Sequence, residues 1–170
     1  MAESNTRVQL SLGSNVGDRG AMLRAALEAL ARLPGVDVLE VSHCYETEPL
    51  GVTNQPAFYN LAAEIETALG PLELLNAVKV IERGLGRRPS SRWSPREIDI
   101  DLILWGAQVM DTPSLTLPHQ EFRDRAFVLE PMAEIAPKAV DPVTGLTVAE
   151  LAKRPEAKGS VKKLGRLDTV

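Results

Sequence analysis

The chain has 170 residues, a net charge of −4, and is 44% hydrophobic and 25% charged. That length suits one domain spanning residues 1–170, able to bury about 70% of its unfolded surface, and the acidic balance gives no global signal for a polynucleotide or membrane-surface partner. The single cysteine, Cys44, excludes an intrachain disulfide and fits a reducing cytoplasm, no apolar run approaches the ~18 residues of a membrane span, and the N-terminus carries no basic and hydrophobic leader.

Residues 1–6 read as a tail. Val8-Gln9-Leu10-Ser11-Leu12 alternates as a strand does, and residues 13–18 form a turn. A helix follows, capped by Asp18 or Asn15, with Met22, Leu23, Ala26, Leu27 and Leu30 as its apolar stripe; Leu33-Pro34-Gly35 stops it. Val36 to Tyr45 reads as a second strand that buries Cys44, Glu46 to Pro56 as a loop, and Phe58 to Ile65 as a third strand with Leu61, Ala63 and Ile65 on one face. Pro71 opens a second helix striped by Leu74, Leu75, Val78, Ile81 and Leu85 and ended by Gly84 and Gly86. An arginine-rich loop runs from Arg87 to Glu97. The next strand carries Ile98, Ile100, Leu102 and Leu104 on one face and Asp99 and Asp101 on the other. A turn at Gly106 leads to a short strand near Val109. Phe127–Ile135 and Thr147–Lys153 read as short helices, and Lys158–Leu167 as a basic edge strand. The order strand, helix, strand, strand, helix, strand is the split βαβ pattern. It predicts an α+β, ferredoxin-like α/β sandwich: an antiparallel or mixed sheet with helices packed on one face.

The chemistry concentrates in Arg92-Trp93-Ser94-Pro95-Arg96-Glu97-Ile98-Asp99-Ile100-Asp101. Asp99 and Asp101 share a strand face with Cβ atoms roughly 6.5 Å apart, at a rise of about 3.3 Å per residue. Such a pair can close on one Mg²⁺ or on two. Arg83, Arg87, Arg88, Arg92 and Arg96 make a basic island on an acidic protein, suited to a small phosphorylated ligand. Acids for metal beside arginines for phosphate point to phosphoryl-type transfer. Phe58 and Asn60 share a strand face, an aromatic and an amide suited to a flat heterocycle. His119 and Arg125 are further phosphate candidates. Only two histidines exist, which argues against a His-based zinc site, and no P-loop string occurs. A nucleotidyltransferase would bring Gly-Ser close ahead of the acids, whereas more than 80 residues separate Gly13-Ser14 from Asp99. A ferredoxin-like RNA-binding module would need sheet aromatics and a basic face, and the chain has seven aromatics in all.

The segment from Arg92 to Leu102 closely resembles the signature of the hydroxymethyl-dihydropterin pyrophosphokinase family of the folate pathway. Leu12-Gly13-Ser14-Asn15, Tyr45 to Gly51, Asn54-Gln55-Pro56, Tyr59-Asn60, Leu115 to His119 and Arg125 to Leu129 resemble further family segments in the same order. Ser94 stands where the family usually has Gly or Ala. The resemblance implies transfer of the terminal pyrophosphate of ATP to 6-hydroxymethyl-7,8-dihydropterin, leaving AMP, by a cytoplasmic monomer without nucleic-acid or membrane partners. It implies that Asp99 and Asp101 hold two Mg²⁺ ions and that Arg87 and Arg96 stabilise charge on the moving phosphoryls. Phe58 and Phe127 would sandwich the pterin, and Asn60 would bond its edge with help from the backbone around Thr47 and Leu50. Glu82, Arg92, Trp93, Leu102, Thr116, His119 and Arg125 would lie along the nucleotide.

Overall fold

The computed structural model describes residues 5–15, 17–47, 57–86 and 98–167. At its centre lies β1 (Thr6–Ser14), antiparallel to β4 (Phe58–Thr67) on one side and to β5 (Asp99–Trp105) on the other. The far edge of β4 is shared: β2 (Val36–Val41) pairs with its second half and β3 (Tyr45–Thr47) with its first residues. Beyond β3 lies β8 (Val161–Lys163), the edge strand expected of the basic tail. All these pairings are antiparallel, and β6 (Met110–Asp111) with β7 (Thr116–Leu117) forms a separate small ladder.

Val8, Leu10 and Leu12 of β1, Leu61, Ala63 and Ile65 of β4 and Ile98, Ile100 and Leu102 share one hydrophobic layer with α1 (Arg19–Arg32) and α2 (Pro71–Gly84). The α1 start is set by Asp18, whose Oδ1 accepts from the Ala21 amide at 3.0 Å. Pro71 occupies the first turn of α2, as its missing N–H and fixed φ favour. The helices do not keep to one face. A second layer, formed by Ala62, Ile103, Leu104 and Phe122, packs against α3 (Ala126–Ile135) and α4 (Val148–Ala152). The apolar runs of both short helices need a partner, and the sheet's other face offers small and branched side chains to meet them.

Three local expectations are corrected. The second strand does not run unbroken from Val36 to Tyr45. Ser42 interrupts it: its amide donates to the Ala62 carbonyl and its Oγ accepts from the Ala62 amide, both at 2.9 Å. Cys44 then bonds through its backbone to Leu164 and Gly165, and its thiol is buried, which raises its pKa to about 11. Glu46 and Thr47 belong to β3 and not to a loop. Finally, Leu104 does not share a face with Leu102. Gln9 pairs with Leu104 and Leu10 with Leu102, so Ile103 is an extra residue in the ladder and shifts the alternation. The short strand expected near Val109 is Met110–Asp111, and Val109 itself is exposed.

Candidate active site at one end of the central strands

The register of three strands builds the site. Gly13 of β1 lies opposite Asn60 of β4 and Asp99 of β5, and Ser11 opposite Ala62 and Asp101. Directly paired residues project to the same side of an antiparallel sheet. Asp99, Asp101 and Asn60 therefore share the face opposite to Ile100, Leu102 and Leu61. Phe58, two residues before Asn60, pairs with Thr47 of β3 on that same side.

Asp99 and Asp101 are half-buried and open onto a groove of about 450 Å³. Glu82, Leu102, Thr116, His119 and Arg125 line the same groove. All the described residues assigned to the metal and nucleotide side thus meet in one place. Glu82 is buried, and its Oε2 accepts from the Ile100 amide at 2.8 Å, so it ties α2 to the strand segment between the two aspartates. The His119 amide donates to the Ile103 carbonyl at 3.0 Å, and its Nδ1 accepts from the Glu121 amide at 3.2 Å. That bond fixes the neutral tautomer with the proton on Nε2, a donor for a phosphate oxygen. Burial first, and then the Arg125 charge, push the imidazole pKa below its ordinary 6.5, against weaker pulls from Glu121 and Asp99. Arg125 pairs with Glu121 and stands over the Phe127 ring at 5.5 Å from its centroid.

Among the described residues no group of three or more His, Cys, Asp or Glu side chains could hold a metal by itself. The Asp99–Asp101 pair nonetheless fits magnesium, which usually takes one or two carboxylates and completes its shell with water and substrate phosphates.

Asn60 and Phe58 lie together around Gly13, which faces Asp99 across the ladder. Asn60 Nδ2 donates to Thr47 Oγ1 at 2.6 Å. Phe127, at the start of α3, packs against the second hydrophobic layer. Arg87, Arg92, Trp93, Arg96 and Leu50 lie outside the described residues.

Sequence reasoning missed Gly13 and Arg19. The Leu12-Gly13-Ser14-Asn15 stretch reads as a strand exit that either holds an anion or simply turns, yet Gly13 and Ser14 are still in β1. A glycine inside a strand pattern signals close approach of another group, and here that group is the Asn60 side chain. Arg19 donates to the Ala57 carbonyl at 2.6 Å and stands over Tyr59 at 4.0 Å from the ring centroid, clamping the entry to β4. No periodicity could have revealed that contact across 38 residues.

Known proteins share both this architecture and this sequence. The α+β fold is similar to that of a Plasmodium falciparum HPPK-DHPS crystal structure. That match has a TM-score of 0.72 at 15% identity and covers 89% of this chain and 45% of that one. The family model for 7,8-dihydro-6-hydroxymethylpterin-pyrophosphokinase matches residues 9–137. The chain is 51% identical over 150 residues to the 2-amino-4-hydroxy-6-hydroxymethyldihydropteridine pyrophosphokinase of Methylorubrum extorquens, covering 87% of this chain and 93% of that protein. It is 44% identical over 131 residues to the protein of the same name from Pseudomonas aeruginosa, covering 77% and 81%. A folic acid synthesis protein of Pneumocystis carinii is 39% identical over 85% of this chain, which spans 20% of that longer protein. The chain belongs to the 7,8-dihydro-6-hydroxymethylpterin-pyrophosphokinase family.

Proposed function

We propose that the protein transfers the terminal pyrophosphate of ATP to the hydroxymethyl group of 6-hydroxymethyl-7,8-dihydropterin, a step of folate biosynthesis. The hydroxymethyl oxygen bonds to the β-phosphorus and gives up its proton to water, the bond from that phosphorus to the α,β-bridging oxygen breaks, and AMP leaves with the electron pair. The observation that carries this reading is the strand register that brings Asp99 and Asp101 to the face carrying Asn60, on a groove shared with His119 and Arg125.

Each residue has a role in that reaction. Asp99 and Asp101 hold magnesium, two ions being expected, and the metal supplies neutralisation of charge on the triphosphate. His119 Nε2–H and Arg125 donate to phosphate oxygens, while Thr116 and Leu102 line the nucleotide's path and Glu82 keeps the acid strand in place. Arg87 and Arg96 stabilise charge on the moving group, with Arg92 and Trp93 along the nucleotide. Phe58 and Phe127 stack on the pterin, and Asn60, Thr47 and Leu50 contact its edge. Little covalent chemistry falls to the protein, since positioning and charge neutralisation dominate such transfers. One domain, residues 1–170, works as a cytoplasmic monomer in this reading; among the described residues no helix is long and apolar enough to cross a membrane.

The test is to incubate the protein with Mg-ATP and the hydroxymethyl pterin. AMP and a pterin diphosphate are the expected products. ADP in place of AMP would overturn the proposal.

A further inference from the structure

Asn60 is 4% exposed, and both ends of its carboxamide are hemmed in. On one side Nδ2 donates to the Thr47 hydroxyl oxygen at 2.6 Å. On the other, a Cβ built on Gly13 would stand 2.7 Å from Asn60 Oδ1 and 3.6 Å from Phe58 Cδ1. Gly13 is not among the glycines with positive φ. Its backbone would accept an ordinary residue, so the Asn60 oxygen is what leaves no room for a side chain.

We propose that Gly13 and Thr47 are positioning residues that hold the Asn60 carboxamide in place, Thr47 through the hydrogen bond to Nδ2 and Gly13 by leaving room for Oδ1. Among the described residues Thr47 takes one Nδ2–H, and the amide offers a ligand its second N–H and its carbonyl oxygen. That pair complements a flat ring bearing an adjacent acceptor and donor, as in a lactam or an aminopyrimidine edge. A carboxamide displaced from that position would leave the ligand's donor and acceptor unmatched in a buried site, which is costly. The assignment of the ligand rests on the pterin reading above; the restraint on the amide does not.

The experiment has two readouts on wild type, Thr47→Ser, Thr47→Val, Gly13→Ala and Asn60→Ala, and on Thr47→Val combined with Asn60→Ala. The first, without ligand, is the NMR signal of the Asn60 side-chain NH₂. It is expected to be protected from solvent exchange in wild type and Thr47→Ser, and to lose that protection in Thr47→Val. The second is calorimetric affinity for the hydroxymethyl pterin beside a non-hydrolysable Mg-ATP analogue. Thr47→Val and Gly13→Ala should each weaken pterin binding by about tenfold, the effect of one hydrogen bond of about 1.4 kcal/mol. Analogue affinity should stay put, and Thr47→Ser should restore pterin binding. Once Asn60 is alanine, Thr47→Val should cost nothing more. Unchanged amide protection in Thr47→Val overturns the proposal, as does an undiminished loss in the Asn60→Ala background. Gly13→Ala reports independently if Thr47→Val does not fold. If the amide is restrained but wild type ignores the pterin, the pterin reading falls and the restraint stands.

Discussion

Replacing Asp99 or Asp101 by alanine removes a carboxylate from the groove and leaves both hydrophobic layers intact, because the neighbours Ile98, Ile100 and Leu102 face the other way. Each variant should lose at least about 99% of turnover, the scale of deleting one electrostatic contact to developing charge, while its circular dichroism and melting stay those of the parent. His119 gives a second expectation. Its pKa is depressed, so the unfolded chain binds the proton more readily than the folded one between the depressed value and 6.5. Its contribution to stability is complete above 6.5 and fades as pH falls below it. An NMR titration of the His119 ring should therefore show a midpoint under 6.5, and a midpoint at or above it would contradict the buried, neutral assignment. The acid pair was legible because period-two alternation needs only a handful of residues. The role of Gly13 was not, since it depends on what β4 places across the ladder.

At the level of elements, the strongly patterned helices were readable, as were the short pieces α4, β6 and β8, whereas β3 and the break before it were not. Helices α1 and α2 follow their apolar stripes and their Asp18 and Pro71 start signals. Strand β3 has three residues, too few for a pattern, and exists because β4 and β8 pair with both its edges. The break at Ser42 is a hydroxyl taking a place in the ladder, which sequence alone does not announce. The second helical layer escaped because α3 is apolar nearly all round and does not show which face it seeks. Helix α4, only five residues long, leans on its cap: Thr147 Oγ1 accepts from the Glu150 amide at 3.1 Å, and Glu150 Oε1 accepts from the Thr147 amide at 3.0 Å. Thr147→Ala should cost about 1 kcal/mol in denaturant unfolding. Glu82→Leu should cost about 1–3 kcal/mol, because the buried Ile100 amide loses its acceptor.

For the molecule as a whole, Asp141 is one of the carboxylates, with Glu134 and Glu150, that tie stability to pH in acid. It is fully buried, which would raise its pKa, but hydrogen bonds from Arg123, the Val143 amide and Thr144, with the Arg123 charge, bring it down to about 2 from 3.8. The stabilisation is complete above about 3.8 and is lost as pH falls from there through 2. Calorimetry of Asp141→Asn should show a melting deficit that is largest above pH ~4 and shrinks toward pH ~2. A deficit that grew in acid would show the sign to be wrong.

Ile103 is the spare letter of β5. Were it excised, Leu102 and Leu104 would meet Leu10 and Gln9 in unbroken alternation, and every neighbour would keep the layer it now occupies. What would disappear is the carbonyl that receives the His119 amide, together with a buried side chain of the second layer. The surplus residue thus serves two masters, the apolar layer its side chain fills and the His119 segment its carbonyl holds, and a chain lacking it would keep its acids but lose that tether.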